Sequence, residues 1–117
     1  MSNPAELALV RSALIQGLGG CVEWDAKQID RVAADLARSG LNLLDVRKAL
    51  IEHVCNGGDV VQVQEVRTLW IDRHEYWYKV IVPMPKVFAK GLFVEMELID
   101  DDPDVPEVSL LNAHEQK

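Results

Sequence analysis

The sequence predicts an α+β domain, with two or three N-terminal helices packed on one face of a four-stranded antiparallel sheet. Three observations carry this. Apolar residues recur at helical spacing as far as Asn56-Gly57-Gly58 and alternate at strand spacing beyond it. All the helical segments precede all the strands, which separates the two layers along the chain. The 117 residues, 49% of them hydrophobic, suffice for one core and are too few for two. The expected organisation is a single domain over 1–117, helical over 1–58 and sheet over 59–114.

The first helix starts at Asn3, a favoured N-cap residue, with Pro4 at the first helical position and Glu6 completing a capping box. Leu7, Val10, Leu14 and Leu18 form its inner face until Gly17, Gly19 and Gly20 end it, giving a helix over 4–18. Asp25 is placed to cap a second helix whose stripe is Ile29, Val32, Ala33, Leu36 and Ala37. Ser39-Gly40 closes it, glycine being favoured where the chain turns left-handed past a helix end. A third helix turns Leu43, Val46, Leu50 and Val54 inward and Asp45, Arg47, Lys48 and Glu52 outward.

Val61 and Val63 alternate with Gln62 and Gln64 in a half-buried strand that can extend to Trp70, followed by a turn over 69–74. Tyr76, Tyr78, Val80 and Val82 alternate with Trp77, Lys79 and Ile81, a β pattern by residue type and by period. Pro83 and Pro85 cannot donate to a ladder, so 84–90 reads as a loop. Beyond Gly91, Leu92, Val94, Met96 and Leu98 face one way while Phe93, Glu95, Glu97 and Ile99 face the other. In the final strand Val108, Leu110 and Asn112 alternate with Ser109, Leu111 and Ala113.

Charge is segregated. Residues 1–58 carry seven acids and six bases, and residues 59–91 four acids and five bases. Residues 92–117 carry eight acids against Lys117 alone, so the whole excess of −7 lies in the last strand pair and the loop around Asp100-Asp101-Asp102-Pro103-Asp104. That run reads either as a solvated, proline-punctuated turn or as a surface that docks a basic partner and repels nucleic acid. No apolar run is long enough to cross a bilayer, and the N-terminal residues lack the basic and apolar regions of a secretory signal. Cys21 and Cys55 have neither disulfide-scaffold nor zinc spacing, so a cytoplasmic chain with two reduced thiols is expected, without metal or cofactor.

The residues that can carry chemistry cluster around the middle strand. Cleaving RNA without a metal requires a base for the 2′-hydroxyl, a cation for the phosphate and an acid for the leaving oxygen. His74, Tyr76, Tyr78 and Lys79, with Arg67 and Arg73 close in sequence, are residue types that supply these, and aromatics on a sheet also stack exposed bases. The simpler reading of the same residues is packed tyrosines and cross-strand ion pairs. His114 closes the last strand, where it either projects toward a cleft or frays with the terminus. His53 and Cys55 are two apart on a helix and diverge, and Glu95 with Glu97 alone does not make a metal site.

The stretch 36–114 resembles the small toxin-like domains of bacterial toxin–antitoxin loci, akin to the RelE/ParE superfamily. The resemblance rests on Arg38-Ser39-Gly40-Leu41-Asn42-Leu43-Leu44-Asp45-Val46, Ala49-Leu50 and Gly58-Asp59-Val60-Val61. It continues through the Tyr-x-Tyr-Lys-Val run at 76–80, the Gly-Leu-Phe-Val-Glu run at 91–95 and the closing strand at 108–114. It implies a helix-covered antiparallel sheet in a bacterial or phage protein that cleaves messenger RNA without a metal and pairs with a cognate antitoxin. By position, Tyr78, Lys79 and His114 are its nearest matches to catalytic residues, and Arg67, Arg73, Lys86 and Lys90 would bind RNA. Two departures stand out: the net negative charge, where phosphate binders are usually basic, and the extra N-terminal helix. The alternative is a non-catalytic interaction module that binds a basic protein through its acidic C-terminal part.

Overall fold

The computed structural model describes residues 3–17, 21–66 and 75–116. In chain order its elements are α1 (Pro4–Gln16), β1 (Val22–Trp24), α2 (Ile29–Ala37), α3 (Leu43–Cys55), β2 (Val61–Gln64), β3 (Tyr76–Met84), β4 (Phe88–Asp100) and β5 (Glu107–Glu115). The class is α+β, and the sheet is mixed rather than wholly antiparallel. Its strand order is β1-β5-β4-β3-β2, with β2 to β5 antiparallel as predicted and β1 added parallel to β5. This fifth strand corrects the four-stranded expectation. Three residues are too short for a period-2 signal, and β1 exists because the edge of β5 offers partners to Val22, Glu23 and Trp24. Cys21 O accepts from Val108 N at 2.7 Å and Asp25 N donates to Leu110 O at 2.9 Å, closing the pairing at both ends.

The helices form where caps and stripes coincide. Asn3 Oδ1 accepts from Glu6 N at 3.1 Å to cap α1, and Asn42 Oδ1 accepts from Asp45 N at 2.8 Å to cap α3. Asp25 does not cap α2. Its carboxylate instead accepts from Lys27 N at 2.7 Å in a turn, and α2 begins later, at Ile29. Past α2, Gly40 takes φ 75°, and Leu41 N donates back to Leu36 O at 3.0 Å. Helix α1 ends at Gln16, and Leu18 lies outside the described residues.

Val10 and Leu14 of α1, Val32 and Leu36 of α2, and Val46 and Leu50 of α3 are buried against one sheet face. That face presents Tyr76, Tyr78, Val80 and Val82 of β3, Leu92, Val94 and Met96 of β4, and Val108, Leu110 and Ala113 of β5. Strand β2 is shorter than the sequence allowed, and the turn expected over 69–74 falls outside the described residues. The expected 84–90 loop contracts to a turn at 85–87, because Met84 pairs with Phe88. No helix among the described residues is long and apolar enough to cross a membrane.

A polar network fastens α1 to the sheet. Tyr78 Oη donates to Glu6 Oε1 at 2.8 Å and accepts from Gln62 Nε2 at 2.9 Å. Gln62 also accepts from Asn3 N at 2.7 Å and donates to Asn3 O at 2.9 Å. Burial raises the Tyr78 phenol above its ordinary range; the Gln62 hydrogen bond opposes this and the Glu6 carboxylate adds to it. The folded chain therefore holds this proton to higher pH than the unfolded chain, where tyrosine ionises near 10. Stability from this group is complete below about pH 10 and is lost as pH climbs above it. Denaturant midpoints measured from pH 8 to 11 should show an alkaline loss that is smaller in Tyr78→Phe than in the parent protein. Equal losses would mean that Tyr78 does not titrate against its burial.

Candidate functional site

The sheet face turned away from the helices carries the odd-numbered positions of β3 and β4. Three aromatic rings cross it from strand to strand. Trp77 of β3 meets Phe93 of β4 edge-on with centroids 6.3 Å apart, and Phe93 stacks on the His114 ring of β5 at 4.8 Å and 19°. Lys79 lies on the same face opposite Glu95, and Ile81 opposite Phe93. Trp77 and Phe93 are half-buried, and His114 is exposed. Glu95 and Glu97 are only 9% and 7% exposed there, so the solvent-facing acidic region begins at Asp100 and does not include them.

A β-bulge puts His114 in this row. Met96 pairs with Leu110 and Glu95 with Asn112, which leaves Leu111 as an extra residue in β5. Strict alternation would have sent His114 to the helix side with Leu110. The bulge reverses the parity, so Ala113 enters the core and His114 pairs with Phe93 on the face opposite the helices.

Beside His114 lies a groove of about 290 Å³ between the C-terminal half of α2 and the end of β5. Leu36 and Ala113 are its buried members, Phe88 and His114 supply aromatic rings, and Asp35, Arg38, Ser39 and Glu115 stand on its rim. Asp35 pairs with Arg31 at 3.9 Å and Arg38 at 4.0 Å, both on one exposed helix face. Arg31 also donates to Asn112 Oδ1 at 3.4 Å, on β5.

The strand registers sort charge by ends of the sheet. The 85–87 turn and the C-terminal end of β5 share one end, because Met84 pairs with Phe88 and Leu92 with Glu115. That end therefore collects Lys86, Lys90, Arg38 and His114, with the carboxylates of Asp35 and Glu115 beside them. The acidic loop joins β4 to β5 at the other end, some seven residues of strand or roughly 23 Å away. Within it Asp100 and Asp102 accept from the backbone N–H groups of Asp102 and Asp104, at 3.0 and 2.9 Å, as a turn of this composition does.

The residues expected from the sequence to act together are thus partly separated. His114, Lys86 and Lys90 share one end of the sheet, and Lys79 lies on the same sheet face as His114. Tyr78 does not join them. It is 0% exposed on the helix side of the sheet, bonded to Glu6 and Gln62, and so faces away from Lys79 and His114. Strand pleating forces this, since adjacent residues point to opposite faces. Arg67, Arg73 and His74 lie outside the described residues. Sequence reasoning passed over Trp77, Phe93, Arg31, Arg38, Asp35 and Asn112. The shared odd parity of Trp77, Lys79 and Phe93 was a usable signal for the aromatic row; nothing in the sequence pointed to the groove. Among the described residues no group of acids, histidines and cysteines is arranged to hold a metal ion. No family model, curated protein or solved structure matches this chain, so its own geometry carries the functional reading.

Proposed function

We propose that this chain is a toxin-like protein that binds single-stranded RNA on the sheet face opposite its helices, at the aromatic row, and cleaves it at His114. The observation that carries this reading is the row of Trp77, Phe93 and His114 rings, an aromatic surface on which a base can continue the stack at the His114 end, next to an acid–base side chain. Lys79 within the row and Lys86, Lys90 and Arg38 at its end supply cations for the backbone. The RelE/ParE-like resemblance of 36–114 supports the same reading.

In the reaction so assigned, His114 removes the 2′-hydroxyl proton as that oxygen attacks the adjacent phosphorus. The bond from phosphorus to the 5′-oxygen breaks, and this oxygen takes a proton from water. The products are a 2′,3′-cyclic phosphate and a 5′-hydroxyl end. Arg38 offsets the charge that develops on the phosphoryl oxygens. Tyr78, assigned to the chemistry from the sequence, has no part in it.

Binding of a fluorescent single-stranded oligoribonucleotide and analysis of its cleavage products test the proposal. Trp77→Ala should weaken binding by about 1–3 kcal/mol, roughly 5- to 150-fold, as the loss of one base–aromatic stack does. His114→Ala should retain binding and lower the cleavage rate by about 10²–10⁴. RNA that fails to bind at low salt, or binds equally well to a folded Trp77→Ala protein, would overturn the reading. The second reading is a non-catalytic module that docks a basic protein on the exposed loop at Asp100, Asp101, Asp102 and Asp104, which lies at the end remote from His114. Unimpaired growth and intact transcripts on induced expression in bacteria would favour that module.

A further inference from the structure

We infer that the groove between α2 and β5 is a mononucleotide pocket, which seats one nucleoside monophosphate unit of the RNA beyond the aromatic row. The inference rests on the RNA reading of the aromatic row and specifies what the groove beside it takes. Its volume of about 290 Å³ is of the order of one nucleotide and too small for a folded RNA element. Its chemistry changes from inside to outside in the way a nucleotide does. The buried members are the apolar Leu36 and Ala113, and the rings of Phe88 and His114 suit a planar heterocycle. Because His114 already stacks on Phe93, a base held against it extends the row of rings instead of competing with it.

The rim sets the orientation. Arg38 is 82% exposed and held by Asp35 only at 4.0 Å, so its guanidinium is available to a phosphate at little cost. Asp35 presents a carboxylate acceptor, which favours the amino edge of a base over the carbonyl edge of uracil. Arg31, drawn toward β5 by Asn112, stands about two helical turns before Arg38 as a second cation on the outward path of the backbone. The four RNA-binding cations expected from the sequence include none on α2.

Titration of the isotope-labelled full chain with AMP, followed by backbone amide shifts, tests this. AMP should move the amides of Leu36, Arg38, Ser39, Ala113, His114 and Glu115 together, with an affinity in the range of about 0.1–5 mM that suits a single small ligand. Arg38→Ala, a surface change that leaves the fold intact, should weaken AMP at least fivefold, about 1 kcal/mol. UMP should bind more weakly than AMP, and inorganic phosphate more weakly still. Silence of these amides at saturating AMP, shifts reproduced by inorganic phosphate alone, or indifference to Arg38→Ala would each overturn the pocket. An oligouridine that binds the parent and not Trp77→Ala while AMP stays silent would remove the pocket and leave the RNA reading standing. AMP binding without any oligonucleotide binding would remove the RNA reading and leave a bare nucleotide site.

Discussion

Replacing Tyr78 by alanine should lower the unfolding free energy by about 3–5 kcal/mol, the range for deleting a fully buried aromatic ring. Tyr78→Phe should cost about 1–3 kcal/mol, because it keeps the packing and strips one partner each from the Glu6 carboxylate and the Gln62 amide. Both numbers are a large part of the stability of a domain this size. Urea denaturation of the two variants separates the packing contribution from the hydrogen-bond contribution. The result that would sink this account is a Tyr78→Phe protein as stable as the parent but unable to cleave RNA. That outcome would return the phenol to the chemistry, where the sequence had placed it. Full cleavage by a destabilised Tyr78→Phe protein would confirm that the residue holds α1 onto the sheet and does no more.

Gly91→Ala is the second change expected to be severe, costing about 2–4 kcal/mol. Three residues of β4, 89–91, lie opposite the single Pro83 of β3, and Gly91 absorbs this mismatch with φ 89°. An added Cβ would sit 2.9 Å from Val82 O and 3.1 Å from Ile81 Cγ2, the first of them backbone that cannot swing aside. Gly40→Ala is the internal control. It has a comparable φ of 75° but open space around the position, so it carries backbone strain of about 1 kcal/mol without the collision. Thermal melts of the two variants should therefore differ clearly, with Gly91→Ala the lower. Equal losses would show that conformation alone, and not the approach of β3, demands glycine at 91.

Much of the architecture was legible because its signals are local. Asn3 and Asn42 cap helices because their own side chains reach backbone N–H groups three residues on, and Gly40 ends α2 because of its own φ. The stripes Val32–Leu36 and Val46–Leu50–Val54 are read from spacing within one segment, and all five residues are buried as that spacing implies. Strand β1 was not legible. Its three residues acquire strand geometry from β5, more than eighty positions later in the chain. Asp25 misled for a related reason: a capping residue and a turn residue are the same chemistry, and the pairing of Asp25 N with Leu110 O selects the turn.

The same division runs through the site. Period-2 alternation by itself determined that Trp77 and Lys79 share one face of β3 and that Phe93 lies on the less apolar face of β4, so the rings of Trp77 and Phe93 were a sequence-level prospect. It likewise determined that Tyr78 cannot share the face of Lys79, so the two cannot act on one substrate from the same side of the sheet. Tertiary structure alone decided the position of His114. The extra residue at Leu111 appears only when β5 is laid against β4, and one unpaired residue reverses the facing of everything after it. Tertiary structure also decided that Arg38 and Asp35 stand beside His114, since α2 and β5 are far apart in the chain and meet only through the core they share. Local sequence carries the period and the caps; register and the meeting of distant elements depend on free energies of pairing and packing that no single segment contains.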